Sequence, residues 1–461
     1  MVFSSIEFIF FFLPLFLLCY YISPCKLKNT VILLFSLGFY FWGEAGYILL
    51  IMFSSLFGYI SALLLEKLEN LKKKLFLAFA VLVNISVLGY FKYTNFITGI
   101  FHGFNKSISV SDIALPIGIS FFTFQVISYI IDVYRGNIKA QKNPFTLMTY
   151  ITMFPQLIAG PIVRYSEVSK DLDTKRKVSI DDINSGLRIF LKGLFKKVLI
   201  ANNIGILWEN IKGYDITSLS LASAWLGAVY FSLQLYFDFG GYADMAIGLG
   251  KMIGFKFVEN FNYPYIASSI TDFWRRWHMS LSRWFRDYVY IPLGGNRKGV
   301  ASHIFNLLVV WTLTGIWHGA SWNFIFWGLY YGIILIGEKY IWGKGLKKIP
   351  KVFAHIYTLI IVVVGFTVFV FDDINSLLPY MSVMFSNTNG ILIDNMFVFT
   401  FFDNIILLIF AVIFSTPLPE KLYKNTLAFS VVRDTVFVAL FILSVVYIVN
   451  SSYNPFLYFR F

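Results

Sequence analysis

The sequence predicts an all-α, polytopic membrane protein, and three observations carry that prediction. Hydrophobic residues make up 58% of the 461-residue chain and charged residues only 14%, against roughly 25% charged in an average soluble domain. Mean hydropathy is +0.70, so polar surface is too scarce to cover a soluble globule and the excess must face lipid or partners. The apolar residues also fall into runs near the roughly 20 helical residues that cross a hydrocarbon core, with basic residues clustered between them. Soluble enzymes, disulfide-stapled secreted domains and disordered tails are excluded.

The elements follow in chain order. The first run, 6–22, has no Lys or Arg before it and Lys26 and Lys28 after it. That polarity is opposite to a cleavable signal, so the run reads as a retained span with the N-terminus outside and the Lys26 loop in the cytoplasm. Cys19 and Cys25, the only cysteines, form no disulfide framework and no zinc site. Runs 30–42 and 46–65 flank Gly43–Glu44 as a hairpin, and runs 75–96 and 113–134 follow. Run 145–163 starts after Pro144 and contains Pro155, Gly160 and Pro161, which break or end helices. Irregular backbone at membrane depth is tolerated only where it is buried in protein or lines a cavity. Further runs lie at 218–237, 240–254, 302–316, 321–342, 353–371, 397–415 and 434–450. With the short runs counted as re-entrant, the chain carries about 11–13 transmembrane or re-entrant helices, in one integral-membrane domain over residues 1–461.

The net charge of +13 is concentrated in stretches such as Lys67 with Lys72–Lys74, Lys170 with Lys175–Lys177, Lys192 with Lys196–Lys197, and Lys344–Lys351. This is the positive-inside pattern of cytoplasmic loops facing anionic headgroups. No nucleic-acid-reading motif accompanies it, so nucleic acid is not a partner.

Polar residues gather in the middle of the chain: Gln125, Asp132, Gln156, Gln234, Asp238 and Asp244. They fit hydrogen bonds between helices or the lining of a polar cavity, and the cost of intramembrane Asp favours the cavity. Residues 271–290 read as one interfacial amphipathic helix capped by Thr271 and Asp272. Its apolar stripe is Phe273, Trp277, Leu281, Trp284 and Tyr288; its polar stripe is Arg276, Ser280, Arg283 and Asp287, flanked by Arg275 and Arg286. His278 lies off the Arg face, with Trp274, Leu281 and Phe285. The arginines Arg275, Arg276 and Arg283 can snorkel to headgroups or hold the phosphates of a cofactor.

Of five histidines, His318 stands out, set between Trp317 and Gly319–Ala320–Ser321–Trp322–Asn323. Small neighbours admit close approach of a ligand, and a neutral imidazole can take a proton from a hydroxyl near pH 7. A histidine hydrogen-bonded at a membrane interface fits the same context. The sequence holds no H-x-x-x-H, C-x-x-C, Walker loop or G-x-S-x-G, which leaves a metal site, an ATPase and an α/β-hydrolase unsupported. A transporter or flippase is the competing class. Such folds often repeat broken helices in corresponding halves, whereas here the broken and polar segments concentrate centrally.

The stretch Asp272–Phe273–Trp274–Arg275–Arg276–Trp277–His278 through Tyr290–Ile291–Pro292–Leu293–Gly294–Gly295–Asn296, followed by Trp317–His318–Gly319–Ala320–Ser321–Trp322–Asn323, resembles the membrane-bound O-acyltransferase family. Phe121–Phe122–Thr123–Phe124–Gln125, Phe154–Pro155–Gln156–Leu157–Ile158–Ala159–Gly160–Pro161 and Phe237–Asp238–Phe239–Gly240–Gly241–Tyr242–Ala243–Asp244 add to the resemblance. It runs through most of residues 115–335, the expected catalytic core, and is nearest the alginate and peptidoglycan O-acetyltransferase branch, with teichoic-acid D-alanylation second. It implies a ring of helices around a central funnel lined by Gln125, Gln156, Asp238, Asp244, Trp317 and Asn323, in the bacterial cytoplasmic (inner) membrane. His318 would be the general base and His278 the family's second histidine. Acetyl-CoA would be the donor, Arg275, Arg276 and Arg283 would contact its phosphates, and no metal is implied. A secreted or periplasmic SGNH-type acetyltransferase would be the partner. Residues 353–461 supply the C-terminal helices and an aromatic tail, Asn454–Phe461, similar to the tail of this branch; Tyr458 in it would relay the acyl group, although an interfacial aromatic belt gives the same composition.

Overall fold

The computed structural model describes residues 1–106, 109–158, 160–425, 430–451 and 453–457. The chain is helical throughout, with no strand among the described residues. It divides into two compact units, Met1–Phe190 with Tyr242–Glu259, and Leu191–Gly241 with Asn260–Phe461.

The first unit is built on the long helices Lys28–Glu44, Ile48–Lys67, Asn70–Phe104 and Ile119–Tyr134. The Phe-rich start of the chain forms its aromatic core: Phe3, Phe8, Phe12, Phe16 and Phe39 surround Phe154 at centroid distances of 6.2, 6.2, 5.3, 5.0 and 5.6 Å. Edge-to-face and tilted pairs at such distances add stability beyond the area they bury. Run 145–163 resolves into two short helices, Pro144–Thr152 and Phe154–Leu157, each begun by a proline in its first turn. Arg176, expected in a basic cytoplasmic loop, is instead buried. It donates to the Tyr20 hydroxyl at 3.2 Å, the Asp171 carbonyl at 2.6 Å and Asn29 Oδ1 at 2.8 Å.

In the second unit, Val300–His318 and Trp322–Tyr340 form a tight hairpin against Lys351–Val370. Run 397–415 is two helices, Asn395–Phe402 and Ile405–Phe414, bent by 61°. Three helices escape a hydropathy reading: Ile180–Phe195, whose residues are divided between the two units at Phe190, and Asn202–Lys212 and Ile374–Ser386 in the second. Their charged residues or internal Pro379 lower the apolar signal.

Two expectations are corrected. Runs 218–237 and 240–254 belong to one continuous helix, Leu221–Met252. Gly240–Gly241 does not break it, and Gly241 serves close packing: a Cβ there would lie 2.7 Å from the Gly193 carbonyl oxygen. Residues 271–290 are not one helix but Ile270–Arg276 and Met279–Phe285, followed by a π-helical turn, Arg286–Tyr290. Among the described residues four segments are long and apolar enough to cross a membrane: Lys28–Lys67, Asn70–Phe104, Val300–His318 and Lys351–Val370. The bent pair makes a fifth, and Phe8–Ile22, Ile119–Tyr134 and Asp434–Asn450 are shorter apolar helices. The protein is a multi-pass membrane protein.

Candidate active site

His318 is the last residue of its helix and is buried. The hairpin that places it closes backbone against backbone. A Cβ at Gly315 would lie 2.2 Å from the Phe324 carbonyl oxygen, and one at Gly328 2.3 Å from the Trp311 carbonyl oxygen. Small residues at such crossings are the means by which membrane helices approach closely. The approach sets the His318 ring among aromatic rings, with centroids at 4.9 Å to Trp317, 5.0 Å to Trp327 and 5.2 Å to Phe369. Asn323 braces the same corner, its Nδ2 donating to the Phe371 carbonyl at 2.7 Å. The result is an imidazole in an aromatic box.

His278 occupies the break between the two short helices, with a left-handed backbone at φ +44°. Asn260 holds it there. The Met279 N–H donates to the Asn260 carbonyl at 3.0 Å, while Asn260 Oδ1 meets the Ser280 N–H at 3.1 Å, the Ser280 hydroxyl at 2.9 Å and His278 Nδ1 at 3.1 Å. A backbone N–H can only donate, which fixes the amide orientation. A carbonyl oxygen can only accept, so His278 Nδ1 carries its proton and Nε2 holds the lone pair. Burial pushes the His278 pKa down to about 3, and the ring is neutral at pH 7. It packs on Phe239 at 4.8 Å and stands 6.2 Å from the Trp317 ring that also touches His318. The two histidines singled out in the sequence therefore share one indole.

This arrangement corrects the helical-wheel placement of His278 with Trp274, Leu281 and Phe285, because Asn260 captures the backbone at the point where a continuous helix would run. The helix start is also shifted. The cap is Ser269, accepting from the Asp272 N–H at 3.0 Å, not Thr271 or Asp272. The buried Glu338 carboxylate adds three bonds there, from the Ile270 N–H at 2.7 Å, the Thr271 N–H at 2.8 Å and the Thr271 hydroxyl at 2.6 Å. Acceptors at a helix N-terminus satisfy its orphan donors. Trp274 reaches back from this helix to Trp327 at 5.6 Å, beside His318.

Of the three arginines, Arg275 is exposed, while Arg276 and Arg283 are partly buried. Arg276 pairs with Asp272 at 3.0 Å one turn earlier. Asp238 forms a buried ion pair with Lys197 at 2.6 Å and accepts the Leu457 N–H at 2.8 Å. Lys197, read from the sequence as a loop cation, is thus an interior residue. Gln125 and Gln156 are buried and Asp244 partly so, all three in the first unit. Asp238, Trp317, Asn323 and both histidines belong to the second. Tyr458 lies outside the described residues. Among the described residues, no three His, Cys, Asp or Glu side chains gather as a metal site. The sequence reading missed Asn260, Glu338, Trp327, Phe369 and Lys197. Each matters through a partner nine or more residues away, which no local pattern announces.

Comparison with known proteins places these residues in context. Residues 138–383, which include Lys197, Asp238, Asn260, His278 and His318, match the membrane-bound O-acyltransferase family. The probable alginate O-acetylase of Azotobacter vinelandii is 41% identical over 393 residues, spanning 84% of this chain and 78% of that protein. The peptidoglycan O-acetyltransferase of Helicobacter pylori is 38% identical over 422 residues, spanning 83% and 80%. The teichoic acid D-alanyltransferase of Bacillus subtilis is 33% identical over 273 residues, spanning 55% and 68%.

Proposed function

The chain belongs to the membrane-bound O-acyltransferase family and is an acyltransferase, and from that premise we propose that it transfers acetyl groups from cytoplasmic acetyl-CoA across the bacterial inner membrane for O-acetylation of an extracytoplasmic polysaccharide. The acceptor class is alginate-like exopolysaccharide or peptidoglycan. The observation that carries the reading is the buried His318 imidazole in its aromatic box, next to the indole it shares with His278.

In this mechanism His318 takes the proton from the acceptor hydroxyl as that oxygen attacks the thioester carbonyl. The C–O bond forms, the C–S bond breaks, and the proton passes to the departing thiolate. General-base assistance of this kind contributes about 10²–10⁴ in rate. The surrounding aromatic rings exclude water that would otherwise compete for the thioester. His278, kept neutral by burial and oriented by Asn260, shapes the site on the other side of Trp317. Arg275, Arg276 and Arg283 would meet the donor's phosphates, and Trp317 and Asn323, in the same unit as both histidines, would supply aromatic and polar lining. Tyr458 would receive the acetyl group and pass it to a secreted or periplasmic SGNH-type acetyltransferase. D-alanyl transfer to teichoic acid is the second reading, favoured by the likeness to the Bacillus protein over about half of this chain.

His318→Ala tests the assignment. The variant is expected to reach the membrane at normal abundance and to lose the acetyl esters of the envelope polymer by at least about 100-fold. Unchanged ester content would remove His318 from the chemistry, and incorporation of D-alanine instead of acetate would install the second reading.

A further inference from the structure

Residues 453–457 follow the Ser430–Asn450 helix and are held inside the second unit by successive contacts to one seat. The Tyr453 hydroxyl accepts from Gln234 Nε2 at 3.3 Å, and Asn454 Oδ1 accepts from Asn202 Nδ2 at 3.2 Å. The Pro455 carbonyl accepts from the Lys197 ammonium, and the Leu457 N–H donates to Asp238 at 2.8 Å. Phe456 and Leu457 are buried. The seat is shaped for this segment: a Cβ at Gly205 would stand 2.4 Å from Gln234 Nε2 and 2.8 Å from the Tyr453 hydroxyl. Lys197 lies on a π-helical turn, Lys196–Ala201, and Gly241 lets that turn close on the helix that carries Asp238.

The Lys197–Asp238 pair is central to the seat. Its side chains are 4% and 2% exposed, so both charges have left water and need every hydrogen bond available. Each partner spends its second bond on the segment: Lys197 on a carbonyl, Asp238 on an N–H two residues later. A backbone carbonyl and a nearby backbone amide are what a cation and an anion side by side can grip. A seated segment is thereby coupled to the charge pair.

We propose that Lys197 and Asp238 form a latch that seats residues 453–457, and that acyl transfer depends on this seat. The seating stands on the contacts alone; its consequence for transfer rests on the acyltransferase function proposed above. Lys197 and Asp238 are positioning residues, acting through the segment and not on the acyl donor.

The test uses the full-length protein with Cys19→Ser and Cys25→Ser, carrying either Phe456→Cys in the segment or Ala228→Cys in the interior of the same unit. Maleimide labelling of both sites is expected to be slow. Adding Lys197→Met or Asp238→Asn is expected to speed labelling at 456 by about tenfold or more, the scale of a lost charged hydrogen bond, and to leave 228 unchanged. Polymer acetylation is expected to fall in the Lys197→Met protein. Deleting residues 453–461 should lower it to the same level whether or not Lys197 is substituted. Unchanged labelling at 456 overturns the latch, and faster labelling at both sites overturns it in favour of a general packing role. Faster labelling at 456 with full acetylation overturns the link to transfer. A wild-type protein that transfers no acetyl group would sink the proposed function, and the labelling would still decide the latch.

Discussion

At position 278 an imidazole sits on a left-handed backbone, a conformation that few residues other than glycine, asparagine, aspartate and histidine adopt. The hydrogen bonds that Asn260 accepts hold it there, and its burial sets a pH dependence. The folded protein leaves His278 unprotonated down to about pH 3, whereas the unfolded chain takes up that proton near 6.5. Below pH 6.5 the unfolded state therefore binds more protons, so this contribution to stability is complete above 6.5 and is lost as pH falls toward 3. The slope is up to about 1.4 kcal/mol per pH unit. Tm measured in detergent at pH 7 and pH 5 is expected to drop on acidification, and to drop less in His278→Gln, whose amide can still donate to Asn260. An equal drop in both would place the acid sensitivity elsewhere. His318 was legible in the sequence because a titratable group between Trp and small residues is conspicuous in an apolar chain. Asn260 was not, since nothing near it in sequence marks its contact with His278.

Among elements, the hairpin of Val300–His318 and Trp322–Tyr340 decides the site, and it depends on two glycines that touch the opposing backbone. Gly315→Val places carbon atoms where the Phe324 carbonyl oxygen now lies, so the helices must part. The expected result is a loss of about 1–3 kcal/mol in stability, the usual range for overpacking, read as a lower Tm. Transfer should fall further than stability explains, because His318 lies one turn away. A Tm unchanged from wild type would mean that the crossing yields freely. The same glycine chemistry explains what sequence reading gets wrong. Gly240–Gly241 looks like a break between two spans, yet in Leu221–Met252 it is a contact surface. In the opposite sense, residues 271–290 have an unbroken amphipathic period, and the helix stops at Trp277 because Asn260 and Asn262 bind its end. Local propensity proposes a helix; a distant strip of backbone ends it.

For the whole molecule, composition and the spacing of apolar runs were enough to place the chain in a membrane, because both follow from the cost of exposing polar backbone to lipid. The division into two units and the burial of Arg176 and Lys197 were hidden, since a cation in the sequence looks alike whether it meets water or a buried partner. The remaining basic clusters imply a sided protein, and the proposed function puts its donor on the side that carries them. In sealed vesicles, added acetyl-CoA is expected to support acetyl transfer by inside-out preparations and to leave right-side-out ones near background. Equal activity in both orientations would contradict that sidedness.

The left-handed address of His278 also bears on how such a protein diverges. Replacing it with glycine or asparagine would give up the imidazole and relax the backbone in the same step. Relief of the backbone is thus set against the loss of the buried ring's packing on Phe239 and of its bond to Asn260.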